Sequence, residues 1–353
     1  MRYILVINTG NTSTKVGIFD SNKPLFVETI RHTDAELDRF TDISSQEEFR
    51  EKLVMDFLKS KDIDIHDLTA VSARGGLLRP LVSGTYLVND QMVTDLREGK
   101  RGMHASHLSA PIGYSIARKA GINCYIVDPI SVDEYEPLAR YTGHKLFNRE
   151  SFTHALNMKA IAKRYAKENQ LDYNKMIMIV VHLGTGISMA LHKYGKMVDA
   201  VNPTDEGPFS PDRAGGLPIM QTVKYVTDQQ MDFKTFRKKI FGDGGLYSYV
   251  GTRDFRIASE MYHQGNQEVI NVIQAMAYQV AKEIGALATV NCGKVETILI
   301  TGGIANQSFF VELIRERVSF LAPIVVYPGE DEMEALAEGV CRVLDNEEEV
   351  HTY

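Results

Sequence analysis

Apolar residues recur along this chain in two strand-length runs that each break at a turn of small and hydroxylated residues and then resume. The first runs Tyr3-Ile4-Leu5-Val6-Ile7-Asn8, turns through Thr9 to Thr14, and continues Lys15-Val16-Gly17-Ile18-Phe19-Asp20. The second runs Met178-Ile179-Val180-Val181-His182-Leu183, turns through Gly184-Thr185-Gly186, and continues Ile187-Ser188-Met189-Ala190-Leu191-His192. Each pattern predicts a β-hairpin whose turn presents backbone N–H groups and hydroxyls, the equipment that holds phosphate. Two such hairpins, one in each half of the chain, predict two related half-molecules that grip one polyphosphate from both sides. The chemistry this suggests is ATP-dependent phosphoryl transfer.

Helical spacing appears between the hairpins and after them. Phe49, Leu53, Phe57 and Leu58 predict a helix over residues 45–61, and further helices are expected over 106–120 and 155–167. The strongest pattern covers 269–290, with Ile273, Met276, Ala277, Val280, Ala281, Ile284 and Leu287 on one face. Short strands are expected at 70–72, ahead of Arg74-Gly75-Gly76-Leu77-Leu78-Arg79-Pro80, and at 124–127, closed by Asp128-Pro129. A final unit reads as strand 297–301, the turn Gly302-Gly303, helix 309–320, strand 324–327 and helix 334–344. The fold class is α/β. The acidic end, Asp345 with Glu347 to Glu349, reads as a solvated tail.

At 353 residues the chain is long enough for two domains. Apolar content of 44% with 24% charged residues is that of a soluble globular protein. A net charge of −7 argues against nucleic acid as a partner and means that an anionic substrate needs a local basic site. Cys124, Cys292 and Cys341 show no metal-binding spacing and read as small apolar side chains in a reducing compartment. The short apolar start and the absence of a membrane-length run predict a cytoplasmic protein with no membrane partner.

Several segments then combine into a resemblance. They are Asn8 to Lys15, Arg74 to Pro80, His104-Ala105-Ser106-His107-Leu108, Ile126-Val127-Asp128-Pro129 and His154-Ala155-Leu156-Asn157. In the second half they are His182 to Ser188, Gly207 to Arg213, Thr301-Gly302-Gly303-Ile304 and Tyr327 to Ala337. In this order the set closely resembles the acetate kinase family, its butyrate kinase branch in particular. The resemblance implies a two-domain actin-like ATPase (ribonuclease H-like) fold, each domain a five-stranded mixed sheet with flanking helices and a nucleotide in the cleft between. An acid-binding and phosphate domain would comprise residues 1–129 plus 331–353, with the last helix returning to it, and a nucleotide-binding domain residues 130–330. The implied reaction is reversible phosphorylation of a short-chain carboxylic acid, butyrate or a branched relative, with ATP/ADP and Mg²⁺, by a homodimer or higher homo-oligomer.

Residue roles follow from chemistry and resemblance together. In the first bend Gly10 relieves the steric limit on a tight turn, while Asn11, Thr12 and Ser13 offer donors to phosphate, flanked by Asn8 and Lys15. Thr9 and Asn11 stand where the family pattern has Pro and Ser. Gly184, Thr185 and Gly186 match the ATP-phosphate loop, with Thr185 in place of glycine and His182 at its base. Gly302, Gly303 and Ile304 match the adenosine-contact turn. Bringing a carboxylate to a phosphoryl group unites two anions, so Arg74 and Arg213 are the expected clamps, with Arg79 a weaker candidate. Asp128 and Glu332 are the expected Mg²⁺ ligands, partly through water, with Glu330, Asp331 and Glu334 competing for the second role. A carboxylic acid is already ionised at neutral pH and needs no general base, which favours Asp128 as a metal-water ligand. His104 and His154 would then donate to the transferring group, or else be satisfied core histidines. A sugar kinase, a kinase of acetate or propionate, and an actin-like nucleotide switch are the competing readings.

Overall fold

The first apolar run folds as strand Tyr3–Gly10 (β1) and the run beyond its turn as Ser13–Asp20 (β2), with Asn11 and Thr12 alone forming the bend. Lys23–Arg31 (β3) extends the hairpin into an antiparallel meander. Leu68–Ala73 (β4), Thr85–Leu87 (β5) and Asn123–Val127 (β6) follow. The second run opens an equivalent meander, Ile177–Leu183 (β7), Ile187–Lys193 (β8) and Lys196–Val201 (β9). Thr297–Gly302 (β10), Ile324–Pro328 (β11) and the C-terminal His351–Thr352 (β12) complete the strands. These elements come from a computed structural model that describes residues 1–353. The chain divides into two units, Met1–Asp133 with Asp331–Tyr353, and Glu134–Glu330.

The first unit holds a sheet of order β12-β5-β6-β4-β1-β2-β3 and the second a sheet of order β11-β10-β7-β8-β9. Strands β6-β4-β1-β2-β3 repeat the design of the second sheet: an antiparallel meander whose first strand is flanked by two successive parallel strands. The similarity expected from two hairpins therefore extends to both sheets. Five strands per domain were expected, and the first unit has seven. The additions are β5, three residues long, and β12, two residues long, on the outer edge of β6. Elements so short carry no periodic signal, and β12 pairs with a strand from the other end of the sequence.

The acidic end is likewise not a free tail. Glu348 accepts hydrogen bonds from the Thr85 amide and from Arg342, and the buried Tyr353 donates its hydroxyl to Asp95.

Burial on both faces explains the unbroken apolar runs of the central strands. On one face of the first sheet, Leu5, Ile7, Val71 and Ile126 pack with Val54, Phe57, Ile112 and Ile116 from helices Glu47–Ser60 and Ser109–Ala120. Helix Glu332–Leu344 covers the opposite face, where a Cβ on Gly339 would lie 2.4 Å from Val127. In the second unit, helix Gln267–Val290 buries the expected stripe from Ile273 to Leu287 against Ile179, Val181 and Leu183.

Candidate active site

Asn8 stands opposite Lys15 in the β1–β2 register, which sends both side chains to the same face of the sheet. The Asn8 amide nitrogen donates to Glu332 Oε2 at 2.7 Å, and its oxygen accepts from Arg74 Nη1 at 3.1 Å. The same Nη1 lies 3.3 Å from Glu332 Oε2, closing a triangle of three expected site residues. Only Nη1 of Arg74 is engaged, so the rest of its half-buried guanidinium is available to an anion. Glu332 opens its helix, whereas Glu330 lies beside His182 in the other unit.

Gly10 is not required by the turn. Its φ lies outside the left-handed region, and a Cβ there would meet Ser13 Oγ at an ordinary 3.4 Å. Thr9 is buried, and its hydroxyl donates to the Ala105 carbonyl and accepts from Ser109 Oγ, which ties the end of β1 to the next helix. Asn11 and Thr12 are exposed at the tip.

Asp128 closes β6 with φ +37, a left-handed conformation that costs a non-glycine residue about 1–3 kcal/mol. It is held there: Oδ1 accepts from Ser83 Oγ at 2.6 Å and from the Gly84 amide at 2.9 Å. Asp128 Oδ2 and Glu332 Oε1 accept no hydrogen bond from the protein. Hard carboxylate oxygens left clear in this way suit Mg²⁺, which uses one or two carboxylates and fills its shell with water and phosphate. There is no group of three or more acidic, histidine or cysteine side chains of the kind that cages a metal by itself.

The Arg74 loop is secured by a residue that sequence reading passed over. His107 is buried, its Nε2 accepts from the Leu77 amide at 3.0 Å, and its Nδ1 donates to the Leu96 carbonyl at 3.0 Å. Those two partners require the neutral tautomer protonated on Nδ1, and burial pushes the imidazole pKa down. A Cβ on Gly76 would lie 2.4 Å from the His107 ring, so the glycine pair was the available clue. His104, chosen from the same motif, is exposed and caps the turn Ala105–Leu108 by accepting from the Ser106 amide at 3.1 Å. Arg79 stacks on the Tyr353 ring at 4.2 Å and serves the C-terminal contact.

In the second unit the bend Gly184-Thr185-Gly186 joins β7 to β8. His182 lies with Nδ1 2.9 Å from Asn157 Oδ1 and Nε2 3.3 Å from Glu330 Oε1. Its ring stacks on His154 at 4.0 Å with an 18° interplanar angle, and His154 Nδ1 is 2.7 Å from Ser188 Oγ. A Cβ on Gly184 would lie 2.9 Å from His182 Nε2.

Arg213 packs its guanidinium over Phe241 at 4.2 Å and directly against Gly186. The hydroxyl of Ser210 donates to the Thr185 carbonyl, tying the bend to the Arg213 segment. Arg213 Nε and Asp212 Oδ1, 3.7 Å apart, are both buried without a hydrogen-bond partner. Burial lowers the Arg213 pKa and raises that of Asp212. A cation with an unsatisfied donor beside a glycine bend suits phosphate.

Gly302 (φ +95) is obligatory, since a Cβ would lie 2.3 Å from the Leu183 carbonyl oxygen. It exchanges two backbone hydrogen bonds with Gly329, at 3.0 and 3.1 Å. A Cβ on Gly303 would meet nothing within 4 Å, whereas the Ile304 side chain belongs to the core.

The Acetokinase family profile matches residues 135–326. Butyrate kinase 2 of Clostridium acetobutylicum is 46% identical to this chain over 351 residues, covering 99% of each. Butyrate kinase 1 of the same organism is 44% identical, covering 100% of each. Among solved structures, Porphyromonas gingivalis acetate kinase matches with a TM-score of 0.81 at 17% identity, over 98% of this chain and 100% of that one. The fold is thus the actin-like ATPase fold of the acetate kinases. The chain belongs to the acetokinase family.

Proposed function

We propose that the protein is a carboxylic-acid kinase that transfers the γ-phosphoryl group of ATP, reversibly, to a short-chain fatty acid. The products are ADP and an acyl phosphate, with butyrate or a branched relative as the acid. The observation that carries this reading is the full-length likeness to two butyrate kinases.

The acid carboxylate attacks phosphorus in line, and the bond to the β-phosphate oxygen breaks. Both anions need positive charge placed in advance, supplied by the free N–H groups of Arg74 and by Arg213 beside Gly186. The bends Gly10–Ser13 and Gly184–Gly186 hold phosphate through backbone amides, Lys15 adds charge, and Gly302 and Gly303 border the adenosine. His104 and His154 donate to the transferring group. Asp128 and Glu332 would hold Mg²⁺, partly through water, and the ion would supply positive charge opposite the phosphate oxygens. The unit containing β1 takes the acid and the other unit the nucleotide. Assembly as a homodimer or larger homo-oligomer belongs to the same proposal.

Trapping acyl phosphate as hydroxamate tests the reading, with straight and branched acids from C2 to C6 compared by kcat/KM. Butyrate or a branched C4–C5 acid is expected to lead. Phosphorylation of a sugar with no hydroxamate from any acid overturns the proposal.

A further inference from the structure

The Asn11–Thr12 bend is held from behind by a buried cation. Arg50, on helix Glu47–Ser60, is wholly buried and is the largest such side chain in the protein. Its Nη1 donates to the carbonyls of Gly10 at 2.8 Å and Ser13 at 2.9 Å and to Thr14 Oγ1 at 3.2 Å. Its Nη2 donates to the Asn11 carbonyl at 3.1 Å. The Thr12 carbonyl accepts instead from the His32 amide at 2.9 Å. In a planar trans peptide the N–H points opposite the C=O. The amides of Asn11 and Thr12 are therefore directed away from Arg50, at an exposed tip.

The charge itself is uncompensated. No carboxylate pairs with Arg50; its remaining hydrogen bonds go to neutral Gln46 Oε1, from Nε at 3.1 Å and Nη2 at 2.8 Å. Burial alone pulls its pKa down to about 10. An unpaired buried cation is costly, and glutamate at position 46 would remove that cost with the same shape. An amide there leaves the positive field directed at the bend.

We propose that Arg50 is a positioning residue of the phosphoryl-transfer site, which turns the Asn11 and Thr12 amides toward phosphate and lends the bend its net positive charge. This rests on reading the bend as a phosphate loop.

The decisive variant is Gln46→Glu, which keeps the hydrogen bonds and neutralises the guanidinium. A purely structural Arg50 predicts an equal or higher Tm with unchanged kinetics. The proposal predicts an equal or higher Tm with kcat about three- to tenfold lower, an unchanged KM for the acid, and weaker binding of tripolyphosphate by calorimetry. Arg50→Met is expected to lower kcat about 10- to 100-fold, and Arg50→Lys to recover a substantial part. Should Gln46→Glu not fold, Arg50→Lys against Arg50→Met carries the same readout. Active wild type with kinetics and tripolyphosphate affinity unchanged in Gln46→Glu overturns the inference alone. Wild type that binds tripolyphosphate more tightly than Gln46→Glu but forms no acyl phosphate overturns the acid-kinase reading and leaves the inference standing. Wild type that neither binds tripolyphosphate nor turns over overturns both.

Discussion

Arg213 and Gly186 exclude any side chain between them: a Cβ on Gly186 would lie 2.4 Å from Arg213 Nη1. The missing side chain is what lets a guanidinium rest against the bend that joins β7 to β8. Gly186→Ala is therefore expected to displace Arg213 and lower kcat about tenfold or more, with little change in Tm. Arg213→Ala is expected to lower it about 10³-fold, as for other arginine clamps in phosphoryl transfer. Circular dichroism and steady-state kinetics check both, and near-normal turnover in Arg213→Ala refutes the assignment.

Glu332 binds Asn8 and Arg74 through one oxygen and keeps the other clear. Glu332→Gln preserves the shape but removes the charge. Because the ion pair is partly exposed, stability is expected to change by less than about 1 kcal/mol. Turnover is expected to fall at least about tenfold, and the magnesium concentration for half-maximal rate to rise. A magnesium titration that superimposes on wild type rules out a ligand role for Glu332.

Burial holds the pKa values of His32, His107 and His192 below the ordinary histidine value, with nearby Arg50 adding to the effect at His32 and Lys159 at His192. In the unfolded chain these groups take up protons below about pH 6.5, while in the fold they stay neutral. The unfolded state then binds more protons, so stability rises with pH. It is fully present above about pH 6.5 and is lost as pH falls from there toward the depressed folded values. Each histidine contributes a limiting slope of about 1.4 kcal/mol per pH unit. Urea titrations from pH 7.5 to 5 are expected to show this decline, shallower in His107→Gln than in wild type.

Tyr353 is buried, hydrogen-bonded to Asp95 and stacked under Arg79. Tyr353→Ala is expected to lose about 3 kcal/mol in chemical denaturation. A disordered tail would instead give no change.

Legibility followed the range of the interactions. Both hairpins and the Ile273–Leu287 stripe could be read because their partners lie close in sequence or repeat with a fixed period. Helix Glu47–Ser60 was placed well, and Phe57 and Leu58 of its expected stripe are buried. Arg50 and Val54 are buried where Phe49 and Leu53 were expected, because the Arg50 guanidinium meets its acceptors on Gly10, Asn11, Ser13 and Thr14 only after the hairpin folds beside the helix. The part His107 plays in holding the Arg74 loop was illegible for the same reason: nothing local distinguishes a capping histidine from a buried one.

The order of apolar runs, glycine bends and arginine motifs determined on its own the α/β class, the repeated hairpin and the residue types available for phosphate. Tertiary structure alone decided that Asn8, Arg74 and Glu332 meet, that Arg213 rests on Gly186, and that the last residues add a strand to the first sheet. Hydrophobic periodicity is a property of neighbouring residues and survives in the unfolded chain. Hydrogen bonds and ion pairs between distant residues exist only once burial has brought the strands together.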